Sequence, residues 1–438
     1  MGGGESGVGA AVLAKVKGFD TFLSDMSTLR EDHRRMLEKY GIPFEEGGHT
    51  PEKILNATEI IKSPGIPDTA PLVAKAIEAG IPIISEIEFA GRYDTAKKIC
   101  ITGSNGKTTT TSLIYYMLKN VGLNVGLGGN IGRSYAFQVA TEHYDIYVLE
   151  LSSFQLDNMY DFKADIAILL NITPDHLDRY GYDIQNYVNA KFRITRNMAA
   201  EDCFIFCSDD EITIKNLNQI VIKARMLPIS QEAEVAEGAY TLDGRMHVNW
   251  GSEPYEMDIS DLSLKGRHNV YNTMAAALTG KLMNIRNESI RSALTSFMPV
   301  EHRMEKVLSV GGVLYVNDSK ATNVNSTWYA LECMTTPVVL ILGGKDKGND
   351  YSPLFDLVRE KVRAIVCMGV DNAKIHAAFE DKVATIVDTA SAEEAVKQAS
   401  RLAVEGDTVL LSPCCASFDL FKSYEDRGRQ FKEAVRNL

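Results

Sequence analysis

The chain has little cationic surplus: Asp and Glu total 58 against 46 Lys and Arg, a formal charge of −12 over 438 residues. Binders of nucleic acids or anionic membranes rely on excess Lys and Arg, so any anionic ligand here must be gripped locally. An unbroken apolar run of the roughly 18 residues that a membrane helix needs is missing, as is a basic segment leading into a short apolar one. A cytoplasmic protein without nucleic-acid or membrane partners is expected. Cysteine is sparse and odd in number, seven in all. Neither Cys203 with Cys207 nor the adjacent Cys414 and Cys415 has the neighbours that would complete a zinc site. Reduced, mostly buried thiols are expected. Tandem repeats and low-complexity tails are absent. What is present, 45% hydrophobic and 24% charged residues, is ordinary for a globular chain, and the length suits about three domains.

Residues 1–90 alternate short strand and helix patterns after an N-terminal glycine loop, GGGESGVG. Such a loop ordinarily follows a strand. The strand of about five to eight residues is expected to be missing, its neighbours left with unpaired edges or paired by something else. After GRYDTAKK the strand KKICIT leads into CITGSNGKTT and a helix of about 14 residues. DIYVLEL and ADIAILLNI continue a parallel sheet buried on both faces. In residues 237–265, Asp243-Gly244 between alternating residues signals a hairpin, read as an antiparallel flap. FMPVEHRMEKV, with Pro299, marks a boundary, and VVLILGGKDKG, AIVCMGV, ATIVD and TVLLSPCC then alternate with helical stretches as a second open α/β sheet.

The segment Gly103-Ser104-Asn105-Gly106-Lys107-Thr108 departs from G-x-x-x-x-G-K-[ST], because Ile101 stands at the first glycine position. The physics of a phosphate cradle survives. Backbone N–H groups at a helix N-terminus face the phosphates, Lys107 supplies charge, and Thr108 can ligate Mg²⁺. A carboxylate for the metal belongs at a neighbouring strand end, where Glu150 closes DIYVLE. His176, after the next strand, and Asn130, in GGNIG, fall on the same rim. A rival reading is open at this level. Gly2-x-Gly4-x-x-Gly7 with Asp25 fits a dinucleotide fingerprint and would make an oxidoreductase, although it leaves GSNGKT unexplained.

TGSNGKTTT, GGNIG, LELSSFQLD, NITPDHLDRY, GRHNVYN, EHRME, NDSKATN, LGGKDKG and SPCCASFDLFKSYEDRG together resemble the Mur ligases across the whole chain. DSKATN and SPCCASFDLF resemble the D-glutamate-adding branch. The resemblance implies three α/β domains. A Rossmann-like UDP-substrate domain would span 1–92, a P-loop-type ATPase domain with its parallel sheet and flap 93–299, and a Rossmann-like amino-acid domain 300–438. It implies an ATP-dependent amide ligase of peptidoglycan synthesis, acting as a monomer on UDP-N-acetylmuramoyl-L-alanine and D-glutamate through an acyl phosphate and a tetrahedral intermediate.

Carried over by position, Gly103, Asn105, Gly106, Lys107, Thr108, Thr109, Asn269, Asn272, Arg303 and Asp318 would hold ATP. Asn269 also reads as a helix N-cap. Thr108, Glu150, His176 and Lys191 would ligate two Mg²⁺ ions, with Lys107, His176 and Lys191 catalytic. Glu5, Ser6, Gly7, Asp25, Ser27, Ser63, Gly65 and Asn130 would bind the UDP substrate, and Thr322, Lys347, Ser417 and Tyr424 D-glutamate. Lys191 matches a lysine that the family carries as a carbamate. An ammonium about 4 Å from Mg²⁺ would be repelled by roughly 8 kcal/mol at an effective dielectric of 20, whereas a CO₂ adduct of the amine is a carboxylate-like ligand.

Overall fold

The computed structural model describes residues 1–438 apart from Pro299, Val300 and Lys347. The boundary signal at Pro299 and the expected ligand Lys347 therefore lie outside the described residues. The chain divides into two compact units, Met1–Ser263 with Tyr271–Phe297, and Leu264–Val270 with Met298–Leu438. Among the described residues no helix is long and apolar enough to cross a membrane.

In the first unit, the N-terminal residues form two parallel pairs of short strands. β1 (Leu23–Ser24) pairs with β2 (Phe44–Glu45), and β3 (Ile60–Ile61) with β4 (Ile83–Ile84). Met1 and Gly2 run between the pairs: Gly2 N donates to Ser24 O at 2.9 Å, and Ser63 N to Met1 O at 3.0 Å. The glycine loop then turns directly into the helix Glu5–Val16. A Cβ on Gly7 would lie 1.8 Å from Gly2 O, so only glycine lets the helix start this close to the preceding backbone.

The main sheet of this unit comprises β5 (Lys97–Thr102), β6 (Val125–Gly129), β7 (Ile146–Glu150), β8 (Ile166–Leu169), β9 (Cys203–Cys207), β10 (Arg225–Ser230), β11 (Gly238–Leu242), β12 (Arg245–Asn249) and β13 (Tyr255–Asp258). Its order is β13-β12-β11-β10-β9-β8-β5-β7-β6. Pairing is parallel from β6 through β11, as the continuous apolar runs require. Asp243 (φ 49°) and Gly244 (φ 75°) form the hairpin turn. The expected antiparallel flap is present as β11–β13 and extends the main sheet, β11 pairing in parallel with β10 through Ile229↔Ala239. Gly238 permits the junction, since a Cβ there would stand 2.1 Å from Pro228 O.

The second unit holds β14 (Glu305–Val310), β15 (Val313–Asn317), β16 (Val338–Leu342), β17 (Val362–Met368), β18 (Ile386–Thr389) and β19 (Thr408–Leu411), in the order β14-β15-β19-β16-β17-β18. β14 is an antiparallel edge, and the remaining strands are parallel between two apolar layers. The ends of β15, β19 and β16 lead into the NDSKATN, SPCCASF and LGGKDKG loops, which places these motifs on one rim.

Candidate active site

β5 delivers the chain into the phosphate loop, and the helix Lys107–Asn120 leaves it, with Gly106 in the left-handed region (φ 85°) as its N-cap. The loop is fixed from the segment after β8. Asn105 N donates to Asn171 Oδ1 at 2.9 Å, and Asn171 Nδ2 returns a bond to Asn105 O at 3.1 Å. Ser104 Oγ donates to Thr173 O at 2.9 Å and lies 3.1 Å from the Tyr187 hydroxyl. Thr108 and Thr109 are buried in the first helical turn. A Cβ on Gly106 would approach Asn272 Oδ1 to 2.3 Å, so the expected nucleotide residue Asn272 sits directly on the loop. Gly106→Ala is expected to cost about 1–2 kcal/mol in left-handed strain alone. Displacing Asn272 as well should weaken ATP binding about tenfold or more in calorimetric titration.

Two lysines share one acceptor at this loop. Lys107 Nζ donates to Gly103 O at 2.8 Å and to Ser104 O at 3.0 Å, while Lys191 Nζ donates to Gly103 O at 2.7 Å. Lys191 is 1% exposed and lies over the Tyr187 ring, 4.6 Å from its centroid. Burial, and then the charge of Lys107, hold its amine well below the usual lysine range, against the pull of Asp175, Asp157 and Glu150. Glu150, 1% exposed, accepts from Asn130 Nδ2 at 2.8 Å through one oxygen. Its other oxygen is buried without a hydrogen-bond partner among the described residues. An orphaned carboxylate oxygen at the end of β7 fits a bound divalent cation, because it otherwise costs desolvation free energy with no return. His176 sits on a left-handed turn (φ 53°), 3.7 Å from Asp175 Oδ2 and edge-on to Phe154.

The expected UDP-substrate residues separate into two groups. Asp25, Ser27, Ser63 and Gly65 line one cavity of about 720 Å³, with Met1, Gly2 and His49. Asp25 accepts from Gly3 N and, at 2.7 Å, from Ser27 N. Its carboxylate is thus spent on shaping the loops, which counts against the dinucleotide reading, where it would hold a ribose. Glu5, not part of that lining, accepts from Ser134 N at 3.3 Å and lies 3.4 Å from His33 Nε2. Ser6 and Gly7 belong to the same helix start, and Asn130 is committed to Glu150 through both Nδ2 and its backbone N–H. Sequence reasoning missed Arg179, which donates to Gly65 O at 3.2 Å and Pro64 O at 3.4 Å, so the turn carrying His176 is tied to the cavity wall.

In the second unit, burial raises the Asp318 carboxyl to about 7, against the opposing charge of Arg303. Ser412 Oγ donates to it at 2.9 Å and Met304 N at 3.2 Å. Arg303 Nε is buried without a hydrogen-bond partner among the described residues. Asn269 is not an N-cap: its helix begins at Arg267, and its side chain donates to Lys265 O at 2.8 Å. Lys345 and Ala416 form an antiparallel bridge that zips the LGGKDKG and SPCCASF loops together. Ser417 is buried beside that bridge, and Tyr424 opens the helix Tyr424–Arg436 while accepting from Ser319 Oγ at 2.8 Å. Thr322 lies between β15 and the helix Val324–Glu332. A cavity of about 320 Å³ adjoins this rim, lined by Lys345, Asp346, Lys374 and Asp419 among others, but not by Thr322, Ser417 or Tyr424. Arg427 also escaped the sequence reading. Wholly buried, it donates to Cys415 O and Ser319 O and so braces both loops.

A parallel α/β sheet with a glycine–lysine loop at its rim, a buried carboxylate with a spare oxygen and a lysine drawn onto the loop defines a phosphate-handling protein. The chain belongs to the Mur ligase family. Family models match residues 9–71 (MurD N-terminal domain), 101–280 (Mur ligase middle domain) and 302–415 (Mur ligase, glutamate ligase domain). The UDP-N-acetylmuramoylalanine–D-glutamate ligase of Bacteroides fragilis is 58% identical over 441 residues, covering 100% of this chain and 99% of that protein. The protein of the same name from Porphyromonas gingivalis is 54% identical over 443 residues, covering 100% and 98%. Among solved structures, a pseudomurein peptide ligase type C from Methanothermus fervidus shares the fold, with a TM-score of 0.63 at 20% identity over 99% of this chain and 98% of that one.

Proposed function

We propose that the protein joins D-glutamate to UDP-N-acetylmuramoyl-L-alanine with consumption of ATP, as a cytoplasmic monomer in peptidoglycan synthesis. The observation that carries this is the meeting of Lys107 and Lys191 on one carbonyl of the phosphate loop, in a chain 58% identical end to end to ligases of that name. The division into 1–92, 93–299 and 300–438 belongs to the same proposal and is supported by the three matching family models.

The substrate carboxylate attacks the γ-phosphorus of ATP, and ADP leaves. The amine of D-glutamate then adds to the acyl phosphate carbon. The tetrahedral intermediate expels inorganic phosphate, and the amine proton is released as the amide forms. Backbone N–H groups at the start of the helix Lys107–Asn120 receive the phosphates, and Lys107 exchanges the loop carbonyls for phosphate oxygens. Thr108, Glu150, His176 and Lys191 would hold Mg²⁺, two ions in all, which when bound neutralises phosphate charge. Asn130 fixes the Glu150 carboxylate through one oxygen and leaves the other for metal. Lys191, buried beside a second lysine, adds CO₂ at its amine with loss of a proton and becomes an anionic ligand. Asn269, Asn272, Arg303 and Asp318 contact the nucleotide. Arg303 suits phosphate as a permanently charged planar fork. Asp25, Ser27, Ser63 and Gly65, together with Glu5, Ser6, Gly7 and Asn130, bind the UDP substrate, while Thr322, Lys347, Ser417 and Tyr424 receive D-glutamate.

The direct test is phosphate release from ATP with UDP-N-acetylmuramoyl-L-alanine, against a panel of D- and L-amino acids. Release that depends on D-glutamate supports the reading. Release without any amino acid, or with an L-diamino acid alone, overturns it. Lys347→Ala should raise KM for D-glutamate roughly 10- to 150-fold, corresponding to loss of one charge-assisted contact of about 1.5–3 kcal/mol, with ATP affinity changed far less.

A further inference from the structure

The second unit brings together three side chains of metal-binding chemistry at the edge of its sheet, apart from the residues assigned above. Cys367 and Asp388 are direct partners in the parallel pairing of β17 with β18, so their side chains leave the same face of the sheet. The helix Ala373–Phe379, which connects the two strands, crosses that face and carries His376. His376 Nε2 lies 3.1 Å from both carboxylate oxygens of Asp388. One donor atom from each of the three residues falls within 4.8 Å of the others. Asn372 Nδ2 donates to Asp388 Oδ1 at 2.9 Å and to Gly369 O at 3.2 Å, which orients the carboxylate as outer partners of metal ligands do.

We propose that Cys367, His376 and Asp388 bind a borderline-soft divalent cation, of which Zn²⁺ is the type, with the remaining coordination position taken by water. Bond lengths of about 2.3 Å to sulfur and about 2.0–2.2 Å to nitrogen and oxygen put tetrahedral ligand atoms about 3.3–3.6 Å apart. The His376–Asp388 pair already has nearly that spacing at 3.1 Å, and the sulfur lies within 4.8 Å of both. One thiolate, one imidazole and one carboxylate suit Zn²⁺ better than Mg²⁺, which prefers oxygen alone. Binding displaces the Cys367 thiol proton to solvent and pins β17, the connecting helix and β18 together. A nucleophilic Cys–His–Asp triad is a poorer account of the same residues. Cys367 is fully buried beneath them, and the imidazole bonds to the carboxylate on the outside, with His376 37% and Asp388 57% exposed. Among the described residues one more cluster of similar composition, Glu301, His302 and Glu305, already holds the ammonium of Lys432 and has no thiol.

The test uses the full chain titrated with Co²⁺, whose thiolate complexes absorb by charge transfer in the near ultraviolet. Cobalt held by Thr108, Glu150 and His176 gives no such band, so the two sites are distinguishable. One equivalent per chain should develop the band, and Zn²⁺ should displace it. Cys367→Ser should abolish it, while Cys203→Ser and Cys333→Ser retain it. His376→Ala and Asp388→Asn, at positions 37% and 57% exposed in the parent chain, should each weaken cobalt binding at least tenfold. Zn²⁺ should raise Tm in the parent chain and not in these variants. No band in the parent chain, a band that survives Cys367→Ser, or unchanged affinity in His376→Ala would each overturn the proposal.

Discussion

Lys191→Ala is expected to lower turnover about 10²–10³-fold at saturating substrates, the scale of removing one electrostatic stabiliser from a reacting centre. The residue is buried among loop backbone and the Tyr187 ring, and it shares the Gly103 carbonyl with Lys107. Two ammonium groups on one carbonyl repel, and burial adds to the cost of charging the inner one. Both effects push the Lys191 amine toward its neutral form, against the pull of Asp175, Asp157 and Glu150, and the neutral form is the one that adds CO₂. Small carboxylates added in solution should restore part of the activity, and ¹³C-labelled bicarbonate should give a carbamate resonance in the parent protein that is absent from the variant. Full turnover in Lys191→Ala, or a labelled protein with no such resonance, would remove the carbamate from the mechanism.

Arg427→Ala should destabilise the second unit by about 3–5 kcal/mol. Arg427 is wholly buried and supplies donors to the carbonyls of Ser319 and Cys415 and, through Nε at 3.0 Å, to Ser319 Oγ. Each buried acceptor left without a donor costs about 1–3 kcal/mol. Burial draws the guanidinium down to about 10, so it still carries its charge at neutral pH. Arg427→Lys should recover only part of the loss, because an ammonium cannot span both loops with a planar fork. Urea unfolding measures the stability change. The same variant should raise KM for D-glutamate more than it weakens ATP binding, since the braced loops are NDSKATN and SPCCASF. A variant with unchanged unfolding midpoint would show that the carbonyls are satisfied in another way.

Contiguous features were legible in the sequence. KKICIT is β5, the loop after it is closed by Gly106, and a helix of 14 residues follows. A strand, a positive-φ glycine and a helix start are dictated by neighbours along the chain. The Asp243-Gly244 turn was readable for the same reason. Which edge its hairpin joins was not, because the β10–β11 pairing brings Gly238 so near Pro228 O that a Cβ would not fit, a proximity that periodicity does not encode.

For the candidate site, residue types gave the cradle and the motifs matched a family, but nothing in the local sequence marks Lys191 as buried. Only packing buries it against a loop 88 positions earlier. The bonds of Glu5 with Ser134 and of Asn130 with Glu150 were not readable from the motifs, and Asn171, Arg179 and Arg427 went unassigned. The sequence by itself determined the strand–loop–helix cradle, the alternation that makes a doubly covered parallel sheet, and the charge balance that confines anion binding to a few local groups. Tertiary structure alone decided which carboxylate oxygen is left open, which lysine is driven toward neutrality and which loops are braced. Each of those depends on side chains from distant segments entering one low-dielectric volume, where a single hydrogen bond or like charge outweighs anything a residue's own neighbours in sequence prescribe.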